Sequence, residues 1–261
     1  TKPNKDIQKT IVSLLDKEKY IRPSDIANSV ISLLKFEANL QKHLQLVDGE
    51  FIQNPLEVIT DLSELPLLLK MMSICPLPDL ELEQLLTNLR CSILSNISSL
   101  KEASAELLSF QSALALQCFT NEYIYNFSDE EEKVLHTLEN NVKKAFKNNK
   151  QPSPQAVLAI ASYKGLNQYD WCNLLIINGD IKEIFTRQVE EPNQEEKIKL
   201  NLPILEEISN KVSSKVRQQY EESPYPRWVN LGLNLEPAPI RKVTEELQLK
   251  LHYEKINEVK N

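Results

Sequence analysis

A chain of 261 residues with only four glycines is barred from most ways of cradling a nucleotide. Average usage near 7% would place roughly 18 glycines in a chain of this length. Gly49, Gly165, Gly179 and Gly232 stand singly, with no two inside ten residues of each other. Phosphate- and dinucleotide-binding folds need glycines clustered in a strand-to-helix turn, where backbone N–H groups can approach the ligand. The spacing therefore excludes a dinucleotide fingerprint, a P-loop and a glycine-rich kinase loop within this sequence. The same shortage weighs against an all-β fold, whose tight hairpin turns call for residues at positive φ. With 41% hydrophobic residues, enough apolar material remains for a real core.

Apolar residues recur at helical spacing almost throughout. Ile7, Ile11, Leu14 and Leu15 mark a first helix ending near Tyr20. Pro23, Ser24 and Asp25 open a second, whose stripe is Ile26, Val30, Leu33, Leu34 and Leu40. Asn54 before Pro55 fits an N-cap with proline at the first helical position. A helical stretch containing or divided by Pro66 then runs toward Cys75, and Pro76 and Pro78 make a hard break. Asp79 caps the next helix, with Leu82, Leu85, Leu86, Leu89, Ile93 and Leu94 as its stripe, and another spans about 102–123. Ser128 and Glu131 form a capping box ahead of Val134, Leu135, Leu138 and Val142. Short helices are expected at 154–163, 170–177 and 181–190, with Pro192 and Pro203 separating the next two, the second running to about 222. Pro224, Pro226, Pro237 and Pro239 enclose an extended stretch before a last helix near 239–249. No helix-pair repeat of about 34 residues emerges. The expected fold is mainly α, an irregular multi-helix array with a proline-rich extended segment near the C-terminus. It divides into a helical pair and linker (1–46), a helical domain (47–222) and the extended segment with its terminal helix (223–261).

The net charge of −7 is unevenly spread, at +3 over 1–46, −12 over 47–140 and +2 over 141–261. The acidic middle repels a phosphate backbone and no lysine or arginine stripe offsets it, which argues against nucleic acid as a partner. Apolar runs reach about five residues, as at 65–69, far short of the roughly 20 that span a bilayer. No basic-then-apolar signal segment opens the chain. The expected location is the cytoplasm, away from any membrane, and Thr1 in place of Met points to processing or to a piece of something longer. Cys75, Cys91, Cys118 and Cys172 lie 16, 27 and 54 residues apart. With no C-x-x-C pair and three of the four in apolar runs, buried free thiols are expected. His43, His136 and His252 sit in charged helical stretches, are expected at the surface and show no metal-ligand spacing.

One segment is chemically pointed. Residues 216–228 gather Arg217, Tyr220, Tyr225, Arg227 and Trp228, with Pro224 and Pro226 stiffening the end. Aromatic rings and guanidinium planes stack on purines or clamp carboxylates. Arg227 is the candidate for a carboxylate or carbonyl contact and Trp228 for stacking. The same residues fit an amphipathic helix whose aromatic tail packs on the body of the domain. No nucleophile elbow, zinc-protease motif or close His–Cys pair occurs. The glutamate pairs at 190–191, 195–196 and 206–207 read as solvated faces.

Residues 216–228 resemble the segment that precedes the catalytic domain in a family of bacterial S-adenosylmethionine-dependent methyltransferases, many of which carry N-terminal tetratricopeptide repeats. Three further blocks agree in the same order. Residues 116–125, with Gln117, Cys118, Phe119, Asn121, Glu122 and Tyr123, resemble that family's short "QCF-NEY" block. Residues 159–163 resemble a following apolar helix. Arg187, Gln188, Val189, Glu191 and Pro192 resemble its "RQV-EP" block. The likeness covers the chain from about residue 50 to the end. It implies a non-catalytic helical region between the repeats and a methyltransferase domain that would follow in cis, shortly after a position like Asn261. S-adenosylmethionine would be the cofactor of the parent protein, with none bound by this chain alone. Tyr220, Tyr225, Arg227 and Trp228 would then close the pocket over the methyl donor or its substrate. The sequence departs from the family pattern at both ends, lacking the glycine-rich loop with its strand and recognisable repeats. The alternative is a free-standing protein-interaction module, whose acidic surface over 47–140 receives a basic peptide or a partner helix.

Overall fold

Prolines and short polar caps set where the helices of this chain begin. The computed structural model describes residues 4–17, 21–45, 52, 54–98, 104–202, 210–222, 229, 239 and 241–242, and no strand occurs among the described residues. In chain order the helices are α1 (Lys5–Leu15), α2 (Pro23–Leu34), α3 (Ala38–Leu44), α4 (Pro55–Ser63), α5 (Pro66–Ile74) and α6 (Leu80–Asn96). They continue with α7 (Ala105–Thr120), α8 (Asp129–Lys147), α9 (Pro154–Ala161), α10 (Lys182–Phe185), α11 (Glu191–Asn201) and α12 (Lys211–Glu222). The architecture is the mainly α array that the periodicity predicts. The proline-rich segment and most of the terminal helix expected after it lie outside the described residues.

α2, α4, α5 and α9 all start on proline, where the missing N–H is not needed and φ is already helical. Asp79 and Ser104 cap α6 and α7 by accepting from the N–H of Leu82 and Leu107. The capping box of α8 is complete. Ser128 Oγ accepts from Glu131 N–H at 3.2 Å and Glu131 Oε2 accepts from Ser128 N–H at 2.9 Å. The helix expected at 170–177 is only a 3-10 turn, Cys172–Leu174, and three boundaries also differ from the periodicity. The first helix stops at Leu15. The second stripe breaks before Leu40, which falls on α3 after a turn through residues 35–37. Pro192 does not separate two helices. The chain stays helical from 182 to 201 by widening into one π turn, Thr186–Glu190, which ends two residues ahead of the proline. In a regular helix the Pro192 ring would meet the carbonyl of Gln188, and the wider turn relieves that clash.

Two apolar clusters form the interior. The first draws on α1 to α7, with Leu34, Leu40, Leu62, Leu68, Met71, Leu86 and Phe110 among its fully buried members. Helices from before and after residue 46 therefore share it. The second joins the end of α6 and one side of α7 to α8, α9 and the loops up to Val189, with Trp171 stacked against Tyr169 and Phe146. α7 lies between them and is buried on nearly every side from Leu107 to Thr120, as expected of a helix that is apolar all round. α11 buries no residue.

Candidate functional site: a buried arginine junction

Arg90 occupies a stripe position of α6, four residues after Leu86 and four before Leu94, and is only 2% exposed. Its Nη2 donates to the carbonyl oxygens of Asn126 at 2.8 Å and Tyr125 at 3.2 Å. The guanidinium lies 4.2 Å from the ring centroid of Tyr163 and 5.7 Å from that of Tyr125, a desolvated cation–π arrangement. The Tyr163 hydroxyl donates to Glu131 Oε1 at 2.6 Å. The carboxylate that closes the capping box of α8 thus belongs to the same buried network. Arg90 Nε and Gln111 Oε1 have no partner among the described residues, and both residues border a small internal void with Ser162 and Tyr163.

The turn after α7 brings the two carbonyls to Arg90. Glu122 and Tyr123 adopt φ of 58° and 56°, a left-handed pair costly for residues with a Cβ. The Tyr123 N–H donates to Cys118 O at 2.7 Å, and its hydroxyl donates to Ala161 O at 3.3 Å. Neighbouring polar side chains bond backbone in the same way. Gln117 fits with its amide nitrogen donating to Met72 O and Cys75 O and its oxygen accepting from Leu77 N–H. Gln188, fully buried, donates to Ala161 O at 3.1 Å and accepts from Leu166 N–H at 3.1 Å. Arg187 pairs with Glu191 at 3.1 Å. Residues 116–125, 159–163 and 187–192 therefore meet in one place, and their polar groups hold helix ends together.

The electrostatics of the junction oppose nucleophilic chemistry. Burial pushes the thiols of Cys75 and Cys118 up to about 11 and raises Cys91 and Cys172 in the same direction. An activated thiol needs the reverse shift. Burial likewise holds the hydroxyls of Tyr125 and Tyr163 far above the ordinary phenol value. All four cysteines are free, with Cys75, Cys118 and Cys172 buried as expected and Cys91 half-buried. His43 corrects the expectation of surface histidines. It is 3% exposed, because α3 presses it against α4, where its Nε2 lies 2.8 Å from Asp61 Oδ2. That hydrogen bond is the leading cause of an Asp61 carboxyl held below its usual range. Among the described residues no group of three His, Cys, Asp or Glu side chains is placed to hold a metal.

Tyr220 lies on α12, with its side chain outside what the structure describes, and Tyr225, Arg227 and Trp228 fall outside the described residues. Gly165 and Gly179 sit in separate loops. Sequence reasoning missed Arg90, although a charge on the apolar stripe between Leu86 and Leu94 was a signal for it. No described helix is long and apolar enough to cross a membrane. No family model, no curated protein and no solved structure matches this chain.

Proposed function

We propose that this chain is a non-catalytic helical accessory region of an S-adenosylmethionine-dependent methyltransferase, acting beside a catalytic domain supplied in cis. The observation that supports this reading is the convergence of residues 116–125, 159–163 and 187–192. The blocks that carry the resemblance are tied at the Ala161 carbonyl, which accepts from the Tyr123 hydroxyl and from the Gln188 amide. In this reading the scaffold positions α12 and the segment after it, so that Tyr220, Tyr225, Arg227 and Trp228 close over the methyl donor or acceptor. Closure excludes water and orients the reactants, while the methyl transfer itself belongs to the catalytic domain.

The test is to read the gene past Asn261 and titrate the longest encoded product with the demethylated cofactor, S-adenosylhomocysteine. A strand running into a glycine-rich turn, saturable binding, and about tenfold weaker binding on Arg227→Ala or Trp228→Ala are the expected results. Unchanged affinity and turnover in both variants would remove the lid role. A stop codon at that point would favour a protein-interaction module. Ile198, Leu200 and Leu202 on and after α11 and Val212 and Val216 on α12 are all exposed, and would supply its contact surface.

A further inference from the structure

α1 turns a polar face toward a groove whose opposite wall is the start of α3 and of α5. Lys5, Gln8, Lys9 and Val12 recur at helical spacing along that face. The groove encloses about 790 Å³, within the range of small-molecule sites. Glu37 lines it and is 8% exposed. Its Oε1 accepts one hydrogen bond, at 2.6 Å from Nε2 of the equally buried Gln8. Although Glu37 directly precedes α3, its side chain caps no N–H of that helix. No cation among the described residues forms an ion pair with it. The other acids at the groove are engaged, Asp16 with Lys70 at 2.8 Å and Glu64 with Asn39 at 3.1 Å. A buried carboxylate normally carries a counter-charge and several donors. Among the described residues this one has a single neutral donor and faces the groove.

We propose that the groove binds an organic cation, a primary ammonium or guanidinium on a short apolar stem, with its head on Glu37 and its stem along Val12 and Pro66. Lys5 and Lys9, both exposed on the α1 side, disfavour polycations and favour a ligand whose outer end is anionic. A free basic amino acid and a lysine or arginine side chain of a peptide share that chemistry. The proposal stands apart from the methyltransferase reading, since it uses none of the same residues.

A ¹H–¹⁵N NMR titration of the whole chain tests it with three probes: free arginine, acetyl-Gly-Arg-Gly-amide and the norleucine counterpart of that peptide. The arginine-bearing probes are expected to shift the Gln8 side-chain amide and the Ala38 and Asn39 backbone signals saturably, at about millimolar dissociation constants, while norleucine shifts none of them. Glu37→Gln should weaken binding at least about tenfold. Glu57→Gln, which removes one of the two acidic partners of Lys42 outside the groove, should leave it unchanged. Tighter binding of free arginine identifies an amino-acid site, tighter binding of the peptide a protein-tail site, and either supports the proposal. Absence of saturable shifts, equal binding of norleucine, or full affinity in Glu37→Gln would overturn it. Should Glu37→Gln not fold, the norleucine comparison on the native chain decides.

Discussion

At the scale of single residues, several of the polar side chains inside this molecule hold backbone, Arg90, Tyr123 and Gln188 among them. Arg90 supplies donors to two carbonyls that the left-handed turn at Glu122 and Tyr123 leaves without partners. Arg90→Met keeps most of the volume but strands both carbonyls, and should cost about 2–4 kcal/mol. It would appear as a lower urea midpoint at unchanged slope. Tyr163→Phe leaves Glu131 its backbone donor and removes only the hydroxyl bond, so a smaller loss of about 1–3 kcal/mol is expected. The buried thiols predict a pH dependence. Cys75 and Cys118 rise from 9.0 to about 11 on folding, so the unfolded chain releases these protons first. Their contribution is complete below pH 9 and is lost as pH rises from 9 through about 11. Tyr125 and Tyr163, also raised by burial, act in the same direction at higher pH. The thermal midpoint should hold steady near neutrality and fall across that alkaline window. A flat profile up to pH 11 would mean that the thiols reach water in the folded state.

At the scale of elements, the caps decide where helices start, and this was the most legible layer. Asp79, Ser128 and Ser153 each accept from an N–H three residues on, and a short side chain before an apolar stripe announces that geometry locally. Ser104 does the same where the start was expected at 102, and Asn54 stands at its expected position without a side-chain bond. Ser128→Ala should cost about 1 kcal/mol, read as a denaturation midpoint, and somewhat more if the freed Glu131 carboxylate leaves Tyr163. Left-handed residues are harder to read, because nothing in Glu122 or Tyr123 favours positive φ. Tertiary packing of Tyr123 and Tyr125 imposes the turn. Glu122→Gly should therefore stabilise the chain by about 0.5–1 kcal/mol, the relief of the Cβ penalty less the entropy of a new glycine. The π turn ahead of Pro192 was equally hidden, since a proline in a polar run reads as a stop until Val189 and Gln188 are seen packed inside. The candidate site divides in the same way. The glutamine and tyrosine positions were visible as ordered blocks, but that Tyr125 and Tyr163 meet at Arg90 depends on separations of tens of residues that no local pattern encodes.

At the scale of the whole molecule, two apolar clusters share α6 and α7, and that sharing governs how the chain unfolds. α6 gives Leu82, Leu85, Leu86, Leu89 and Ile93 to the first cluster and Leu94 to the second, while α7 gives Phe110 and Leu114 to one and Ala115 and Leu116 to the other. Neither cluster can lose its contribution from these helices without exposing part of its partner, so the two should melt as one unit. Trp171 reports on the second cluster alone, stacked on Tyr169 at a centroid distance of 4.8 Å. Leu68, fully buried, belongs only to the first. In a Trp228→Phe background, which leaves Trp171 as the sole tryptophan, Leu68→Ala should lower stability by about 2–5 kcal/mol. Under shared cooperativity the tryptophan fluorescence midpoint moves by the same amount as the far-ultraviolet circular dichroism midpoint. If the fluorescence transition stays in place while the helical signal loses an early phase, the clusters unfold separately, and the arginine junction between them is a hinge between two bodies instead of the centre of one.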